Sequence, residues 1–466
     1  MGIADFIKNQ LPYWPNWFNY FLLRLNVLGG LVYGRNYNRI LRSIDKGDPE
    51  KKLLDMVNFA ICNVPYYRKK YGTLQIHSLS DFEEKIGFID KEEVMAHWDD
   101  FLVDHIDWAK AHTGTTGGTS GKPLKLVEPL NRYAHSLAFT HKQWMWFGWK
   151  YDARGVFRNH HISKDRDYII SPILKEVIFD PFRMDAPYAS RCWKALKKYH
   201  IRFIHAYPSS FYQFCKLCVQ QGLNLDFIKV AFLASEGVTE EQRAFFEEIG
   251  IAIYSFYGHS EKLILAGNSP ESMLYYIEEN YGYCELIDNE NRVIKDNGVA
   301  GEMVGTTFCN KLFPLIRYKT GDYSRYARCT TTKYGIRCLD GVQGRWDKSL
   351  IYKADGTYVN TASLNLHSHL YSHIDGLQYI QEDVGKLIVC LIKNERYTSS
   401  DEQVILNHYA KAMGSKDSVE IKYVDKLIFS LKKELEIAKV ICKPPVLVPK
   451  TAQKSSLSKI EETTRM

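Results

Sequence analysis

Three consecutive segments constrain the fold of this chain more than any other feature: "KVAFLAS" (229–235), "TEEQRAFFEEIG" (239–250) and "IAIYSFYG" (251–258). The outer two are short apolar runs rich in β-branched and aromatic residues, the pattern of buried strands. The middle one has helical spacing, with Thr239 and Gln242 three apart as in a capping box and Gly250 placed to end the helix. Strand, helix and strand in this order predict a βαβ unit and a largely parallel sheet covered on both faces.

At 466 residues the chain has room for two or three domains. Its texture changes after about residue 345, where "KSLIYKADGTYVNTASLNLHSHL", then "LQYIQEDVGKLIVCLIKN" and a helical stretch over Asp401–Met413 suffice for a small α+β domain. We therefore expect an α/β fold with a large N-terminal domain over 1–345, a small α+β domain over 346–445 and a polar tail over 446–466. The net charge of +7 is spread among interspersed acids, which argues against a nucleic-acid track. The ten cysteines are scattered, and with no signal peptide in view they suggest reduced thiols and a cytoplasmic protein.

Two local patterns carry a bland and a sharp reading. Cys215 and Cys218 form a CxxC inside "SSFYQFCKLCVQQG", where helical spacing and the lack of a second ligand pair favour core packing over zinc. The N-terminal "NWFNYFLLRLNVLGGLVYG" is interrupted by Asn19, Arg24 and Asn26 before it could span a bilayer. Trp17, Phe18, Phe21, Leu22, Leu25 and Leu28 fall at helical spacing, which predicts a helix docked on the body through that face; peripheral membrane contact is the lesser alternative.

The stretch "HTGTTGGTSGKPLKL" (112–126) has the makings of a phosphate cradle, although it fails the Walker A template at Thr116 and Pro123. Gly117, Gly118 and Gly121 free the backbone so that N–H groups can converge, Thr116, Thr119 and Ser120 add hydroxyls, and Lys122 adds a charge. Taken alone, it reads equally well as a linker. It is followed in order by "ASEGVT" (234–239), "FYGHSEK" (256–262), "FPLIRYKTGDYSRY" (313–326) and "GVQGRWDK" (341–348), each placing polar groups at a strand end or turn, where open α/β sheets bind ligands.

This ordered set resembles the adenylate-forming superfamily, and within it the phenylacetate-CoA ligases and the CapK-type capsular polysaccharide proteins. "TGGTSGKP", "YGHSE", "RYKTGD" and "GRWDK" are similar to that family's phosphate loop, YGxTE, RYRTGD and hinge motifs; "VPYYRKKYG" (64–72) and "AYPSSFYQF" (206–214) also look like this branch. The resemblance implies a large AMP-binding domain and a small mobile lid. It further implies that a small-molecule carboxylic acid is activated with ATP and Mg²⁺ as an acyl-adenylate, then transferred to coenzyme A. Carried over by position, Thr116, Gly117, Gly118, Thr119, Ser120, Gly121 and Lys122 would hold the β- and γ-phosphates. Ser235, Glu236 and Gly237 would border the adenine, and Tyr257, beside Gly258, would stack on it. Ser260 would touch the α-phosphate, Glu261 would bind Mg²⁺, Asp322 would accept the ribose hydroxyls, and Arg345 would act at the hinge. These residue types suit the chemistry, because a metal and directed N–H donors must neutralise charge where two anions meet.

The chain departs from the family pattern at three places. It has the pair Gly117–Gly118 where the family has a hydroxyl residue and one glycine, Lys348 where a second Asp is common, and Glu436 near the position of the late catalytic lysine, with Lys433 and Lys439 as neighbours. Lys433 is the candidate to replace that lysine. The departures leave two alternatives: acyl transfer to an amine or amino sugar, and a nucleotide-binding polysaccharide-assembly protein without turnover. His160, His161 and His205 lie where a substrate pocket could stand and are read as structural.

Overall fold

In a computed structural model the described residues are 14–24, 33–116, 124–343, 350–355, 358–360, 364, 370, 373–425 and 438–440. The chain divides into two compact units, Met1–Lys348 and Ser349–Met466.

The first unit opens its strands with a hairpin, β1 (Ala111–Thr115) and β2 (Lys125–Pro129). Thirteen further strands form one sheet: β3 (Arg154–Phe157), β4 (Ile169–Ser171), β5 (Glu176–Ile178), β6 (Phe203–Ala206), β7 (Val230–Leu233), β8 (Ala252–Gly258), β9 (Leu265–Ser269), β10 (Ser272–Ile277), β11 (Gly282–Ile287), β12 (Val293–Ile294), β13 (Ala300–Thr307), β14 (Tyr318–Ala327) and β15 (Cys338–Gln343). Their order is β12-β11-β13-β14-β15-β10-β9-β8-β7-β6-β3-β5-β4.

The expected βαβ unit is present. β7 pairs parallel with β8, and between them the helix Glu240–Glu248 starts on a complete capping box of Thr239 and Gln242. Gly250 follows at φ +72°, and Ile251 N–H returns to Phe246 C=O at 2.9 Å. Only β5, β3, β6, β7 and β8 are joined in parallel, however, so the largely parallel sheet holds for less than half of the strands. A parallel pair needs a crossover of a dozen or more residues, whereas two strands joined by a tight turn must run antiparallel. No helix intervenes between Gly258 and Gln343, and every pairing of named strands within that stretch is antiparallel, beside one isolated parallel bridge between Asn297 and Tyr326.

The antiparallel half also curls back towards β8. A Cβ at Gly282 in β11 would lie 1.9 Å from Leu263 C=O, and one at Gly305 in β13 would lie 2.5 Å from the Leu263 side chain. Glycine at these two positions lets β11 and β13 close against the segment that leaves β8. One core, including Leu53, Phe82, Leu263, Met303 and Tyr318, lies with this half; another, including Phe157, Leu196, Phe214 and Phe246, lies with the parallel half.

Cys192, Cys215 and Cys218 belong to the second core. Burial pushes the thiols of Cys215 and Cys218 up, the latter to about 12, as befits packing residues. The expectation of uniformly reduced cysteines is corrected at one place: Cys329 and Cys338 are joined in a disulfide. The β14–β15 register pairs Ala327 with Cys338, which brings Cys329, two residues on, within a Cα distance of 5.5 Å.

The N-terminal helix, Asn16–Arg24, docks, but not through the expected face. Leu23 is buried in the second core and Tyr20 packs on Tyr199 at 5.5 Å, whereas Trp17 (73% exposed) and Phe21 (58%) turn outward. Asn19 goes inward with its amide donating to Trp14 C=O at 3.1 Å, which offsets part of the cost of burying it. Leu25 and Leu28 lie outside the described residues. Among those residues no helix is long and apolar enough to cross a membrane.

In the second unit β16 (Leu350–Tyr352) pairs with β17 (Tyr358–Asn360). A four-stranded sheet has the order β20-β19-β18-β21, from β18 (Ile374–Gln381), β19 (Leu387–Lys393), β20 (Val419–Tyr423) and β21 (Ala438–Val440). The helix Ser399–Met413 begins on a capping box of Thr398 and Asp401, ends at Gly414 with φ +91°, and sets its buried Tyr409 hydroxyl 3.1 Å from that of Tyr379. The expected α+β composition is what forms.

Candidate functional site

The carboxyl ends of β3, β6, β7 and β8 lie side by side, with neighbouring strands about 4.8 Å apart. The residues that follow these strands therefore share one edge, and Ser235, Glu236 and Gly237 after β7 stand next to Ser260 and Glu261 after β8. Three non-glycine residues with left-handed backbone fall within the expected motifs: Ser235 (φ +69°), Lys262 (φ +56°) and Arg317 (φ +51°). Such residues cost of order 1–3 kcal/mol each and persist where the surroundings over-determine them.

Each of those surroundings is identifiable. Ser235 accepts at its hydroxyl from the Arg158 guanidinium at 3.1 Å. Glu236 turns away from the open edge: its carboxylate accepts from Ser209 N–H and from the Ser209 hydroxyl, both at 3.0 Å, at the start of the helix Pro208–Gln220. A carboxylate at a helix N-terminus is held by unsatisfied N–H groups and the helix dipole, so Glu236 braces "ASEGVT" against "AYPSS". Arg317 is fully buried, gives both arms of its fork to Glu285 (3.1 and 2.8 Å), donates to Glu83 and Ile86 C=O groups (3.0 and 2.6 Å), and lies 3.9 Å from the Phe88 ring centroid.

After β8, Tyr257 and His259 stack at 5.6 Å, and His259 Nδ1 lies 3.0 Å from Glu261 Oε2. Ile264 N–H donates to His259 Nε2 at 3.3 Å, so that nitrogen is the acceptor and Nδ1 carries the proton towards Glu261. The Glu261 side chain is only 9% exposed. Gly258 and Ser260 are exposed beside it.

Asp322 arrives from the other half of the sheet. Gly321 (φ +72°) kinks β14, its N–H held by Glu302 at 3.0 Å, and Asp322 N–H is held by the Thr320 hydroxyl at 3.1 Å. Tyr257 then donates its hydroxyl to Asp322 Oδ2 at 2.8 Å. β8 and β14 are four positions apart in the sheet order, roughly 19 Å if the sheet were flat. The contact exists because the antiparallel half curls. Burial, and secondarily the adjacent Asp322 charge, lift the Tyr257 hydroxyl far above its ordinary range, so it remains a donor.

The hairpin that carries the candidate phosphate loop is anchored at the same edge. Thr116 and Leu124 close its base, Thr116 N–H to Leu124 C=O at 2.9 Å and Leu124 N–H to the Thr116 hydroxyl at 3.0 Å. Thr116 is buried in this role, which makes it a clasp for the loop. Glu128 in β2 forms an ion pair with Lys262, the residue after Glu261, and a second with Arg132 at 3.3 Å. Asn310 donates to Val127 C=O at 2.9 Å and ties β2 to the antiparallel half.

Of the residues expected from the sequence, Ser235, Gly237, Tyr257, Gly258, Ser260, Glu261 and Asp322 are brought to this edge, and Thr116 and Glu236 are used as braces. Gly117, Gly118, Thr119, Ser120, Gly121, Lys122, Arg345 and Lys433 lie outside the described residues. Sequence reasoning missed Arg158, Glu128, Lys262 and His259. Only His259 left a signal, since it sits two residues from Glu261 in the same motif; the two meet across the turn that Lys262 N–H closes on His259 C=O at 3.0 Å. Among the described residues no group of three or more His, Cys, Asp and Glu side chains is placed to hold a metal ion.

Comparison with known proteins bears on the fold. A family model described as the CapK C-terminal domain matches residues 351–429. Phenylacetate-coenzyme A ligases of Aromatoleum evansii and Thermus thermophilus are 31% and 30% identical over 27% and 28% of this chain. The matched stretch spans 29% and 31% of those relatives' own lengths, less than a third. Across nearly the whole chain the likeness is structural. A 2-hydroxyisobutyryl-CoA ligase in complex with 2-HIB-AMP and CoA superposes with a TM-score of 0.55 at 16% identity, covering 90% of this chain and 92% of that one. The same ligase in a postadenylation state gives 0.51 at 15% identity over 88% and 91%.

Proposed function

We propose, for a chain that has the adenylate-forming ligase fold and ends in a CapK-type C-terminal domain, that it activates a carboxylic acid with ATP and passes the acyl group to coenzyme A. The observation that carries this reading is the Tyr257–Asp322 contact at 2.8 Å beside Glu261, in which two motifs 65 residues apart meet across a curled sheet. A buried carboxylate that accepts hydrogen bonds suits the vicinal hydroxyls of a ribose, and the Tyr257 ring beside it offers a face for a base. Glu261, with His259 Nδ1–H directed at one oxygen, suits Mg²⁺, which binds through one or two carboxylates, waters and the phosphates of its partner nucleotide.

In this reading the loop 117–122 holds the β- and γ-phosphates, Ser260 meets the α-phosphate, and Ser235 and Gly237 border the adenine. The second unit acts as a lid that turns about Arg345, and Lys433 supplies the cation that guides the acid to the α-phosphate. A role in surface-polysaccharide synthesis is supported by the CapK C-terminal domain, and cytoplasmic action by the use of ATP and CoA.

Pyrophosphate release measured over a library of acids, with coenzyme A, with amines and amino sugars, and with neither, tests the proposal. Acid-dependent release and thioester formation are expected. Amide products in place of thioesters would move the acceptor to an amine, and tight ATP binding without release from any acid would assign the chain to a nucleotide-binding assembly protein. In an active parent, Lys433→Ala should slow pyrophosphate exchange about a hundredfold, about 2.7 kcal/mol. An unchanged rate would remove Lys433 from the reaction.

A further inference from the structure

Arg158 follows β3 and crosses the end of β6 to reach Ser235 after β7. One NH group donates to Ser235 Oγ at 3.1 Å, the other lies 3.1 Å from His205 Nε2, and the guanidinium carbon is 5.2 Å from the Tyr207 ring centroid. A guanidinium can only donate, so His205 Nε2 accepts and its proton sits on Nδ1. All of these partners are neutral. Arg158 Nε is buried without a hydrogen-bond partner, and among the described residues no carboxylate pairs with Arg158.

Arg154, four residues back in β3, is buried, whereas Arg158 just past the strand is half-buried. Arg154 sits over Trp144 and Trp149 and is neutralised by Glu176 at 2.7 Å. Arg158 has aromatic and hydroxyl support of the same kind with no counter-ion, at the edge where the candidate ligand-binding residues converge. His205 adds no second positive charge here, because burial and the two nearby guanidinium groups keep its imidazole neutral. A cation oriented by neutral groups, with its planar fork held in place, is suited to an anion brought by the ligand.

The geometry points to Arg158, oriented by His205 and Ser235, as the receptor for a second carboxylate on the substrate acid, which makes the substrate a dicarboxylic acid and not an apolar monocarboxylate of the phenylacetate kind. This rests on the acid-activating reading for the identity of the ligand. The reacting carboxylate belongs beside Ser260 and Glu261 at the end of β8, and Arg158 reaches from the β3 side to the end of β7, so an acid lying along the strand ends presents its far end to the guanidinium.

Calorimetry on the full chain in the presence of AMP tests this without requiring turnover. Succinate, glutarate and adipate are compared with butyrate, pentanoate and hexanoate, on the wild type and on Arg158→Leu and Arg158→Lys. At least one dicarboxylate should bind the wild type roughly ten- to a hundredfold tighter than its monocarboxylate counterpart, the range of a charge-assisted pair. Arg158→Leu should abolish that preference, and Arg158→Lys, which keeps the charge and loses the fork, should retain part of it. Titration with ATP·Mg²⁺ is the second arm: because Arg158 also holds Ser235, some loss is expected there, smaller than the loss of the dicarboxylate preference. Equal binding of both members of every pair to the wild type would overturn the inference even if Arg158→Leu fails to fold, as would a loss of ATP affinity with acid affinity intact, which would give Arg158 to the nucleotide. A dicarboxylate preference without pyrophosphate release would retain the inference and defeat the acid-activating reading; release from apolar monocarboxylates alone would do the reverse.

Discussion

The parallel and antiparallel halves of the large sheet contribute to the candidate site in different ways. In the parallel half the functional side chains lie at the ends of strands or just past them, because crossover helices return the chain to the same edge and line up the carboxyl ends of β3, β6, β7 and β8. In the antiparallel half Asp322 lies inside a strand, reached by a glycine kink and by curling of the sheet until Tyr257 can touch it. The first kind of site follows from topology. The second depends on packing, and above all on the buried Arg317–Glu285 pair that fixes the start of β14.

That difference predicts where the molecule is most fragile. Arg317→Ala leaves Glu285 as a buried carboxylate without its partner, a change worth about 3–5 kcal/mol, and should give the largest loss in urea denaturation. A loss below about 1 kcal/mol would show that β14 is held by its strand pairing alone.

Acid acts on both halves, since burial holds His205 of β6 neutral as well; His135 tests the antiparallel side. His135 packs between Phe139 and Tyr281, its Nδ1 has no partner, and burial pulls its imidazole down to about 4. The unfolded chain takes up a proton near pH 6.5 and the folded chain does not, so this contribution is whole above about pH 6.5 and is lost as pH falls towards 4. It amounts to about 3 kcal/mol, and His135→Phe should flatten the stability–pH curve over that window. An unaltered curve would place the acid sensitivity elsewhere.

Asp322→Ala tests the function of the kinked strand. ATP affinity should fall by about 1.5–3 kcal/mol, the value of hydrogen bonds to a charged group, and the melting temperature should fall as well because the Tyr257 hydroxyl loses this acceptor; calorimetry that finds the parent affinity would detach Asp322 from the nucleotide. The smallest effect is expected in the parallel half, where Thr239→Ala removes one capping hydrogen bond from the crossover helix at a cost of about 1 kcal/mol. Were that loss to match Arg317→Ala, the two halves would be equally dependent on single contacts.

The βαβ unit, its capping box and the helix of the small unit were legible because each depends on residues within a few positions of one another. The candidate ligand-binding residues after β7 and β8 were legible for the same reason, as strand ends. The outward turn of Trp17 and Phe21 was not, because the short helix carries apolar residues on both faces and Asn19 could enter the core only with Trp14 C=O to receive it. Nor was the Cys329–Cys338 pairing, which follows from the β14–β15 register.

The sequence by itself determined the local elements, the order of the polar motifs and the chemistry that each residue type can perform. Only the tertiary structure decided that Glu236 and Thr116 brace the site, that Asp322 meets Tyr257, and that Arg158 stands among neutral partners. The physical reason is that hydrogen-bond and charge compensation inside a protein is settled between residues far apart in the chain. Arg154 and Arg158 stand four residues apart on one strand and its exit, yet the fold buries the first and brings it a carboxylate, Glu176, and leaves the second half-buried with none among the described residues.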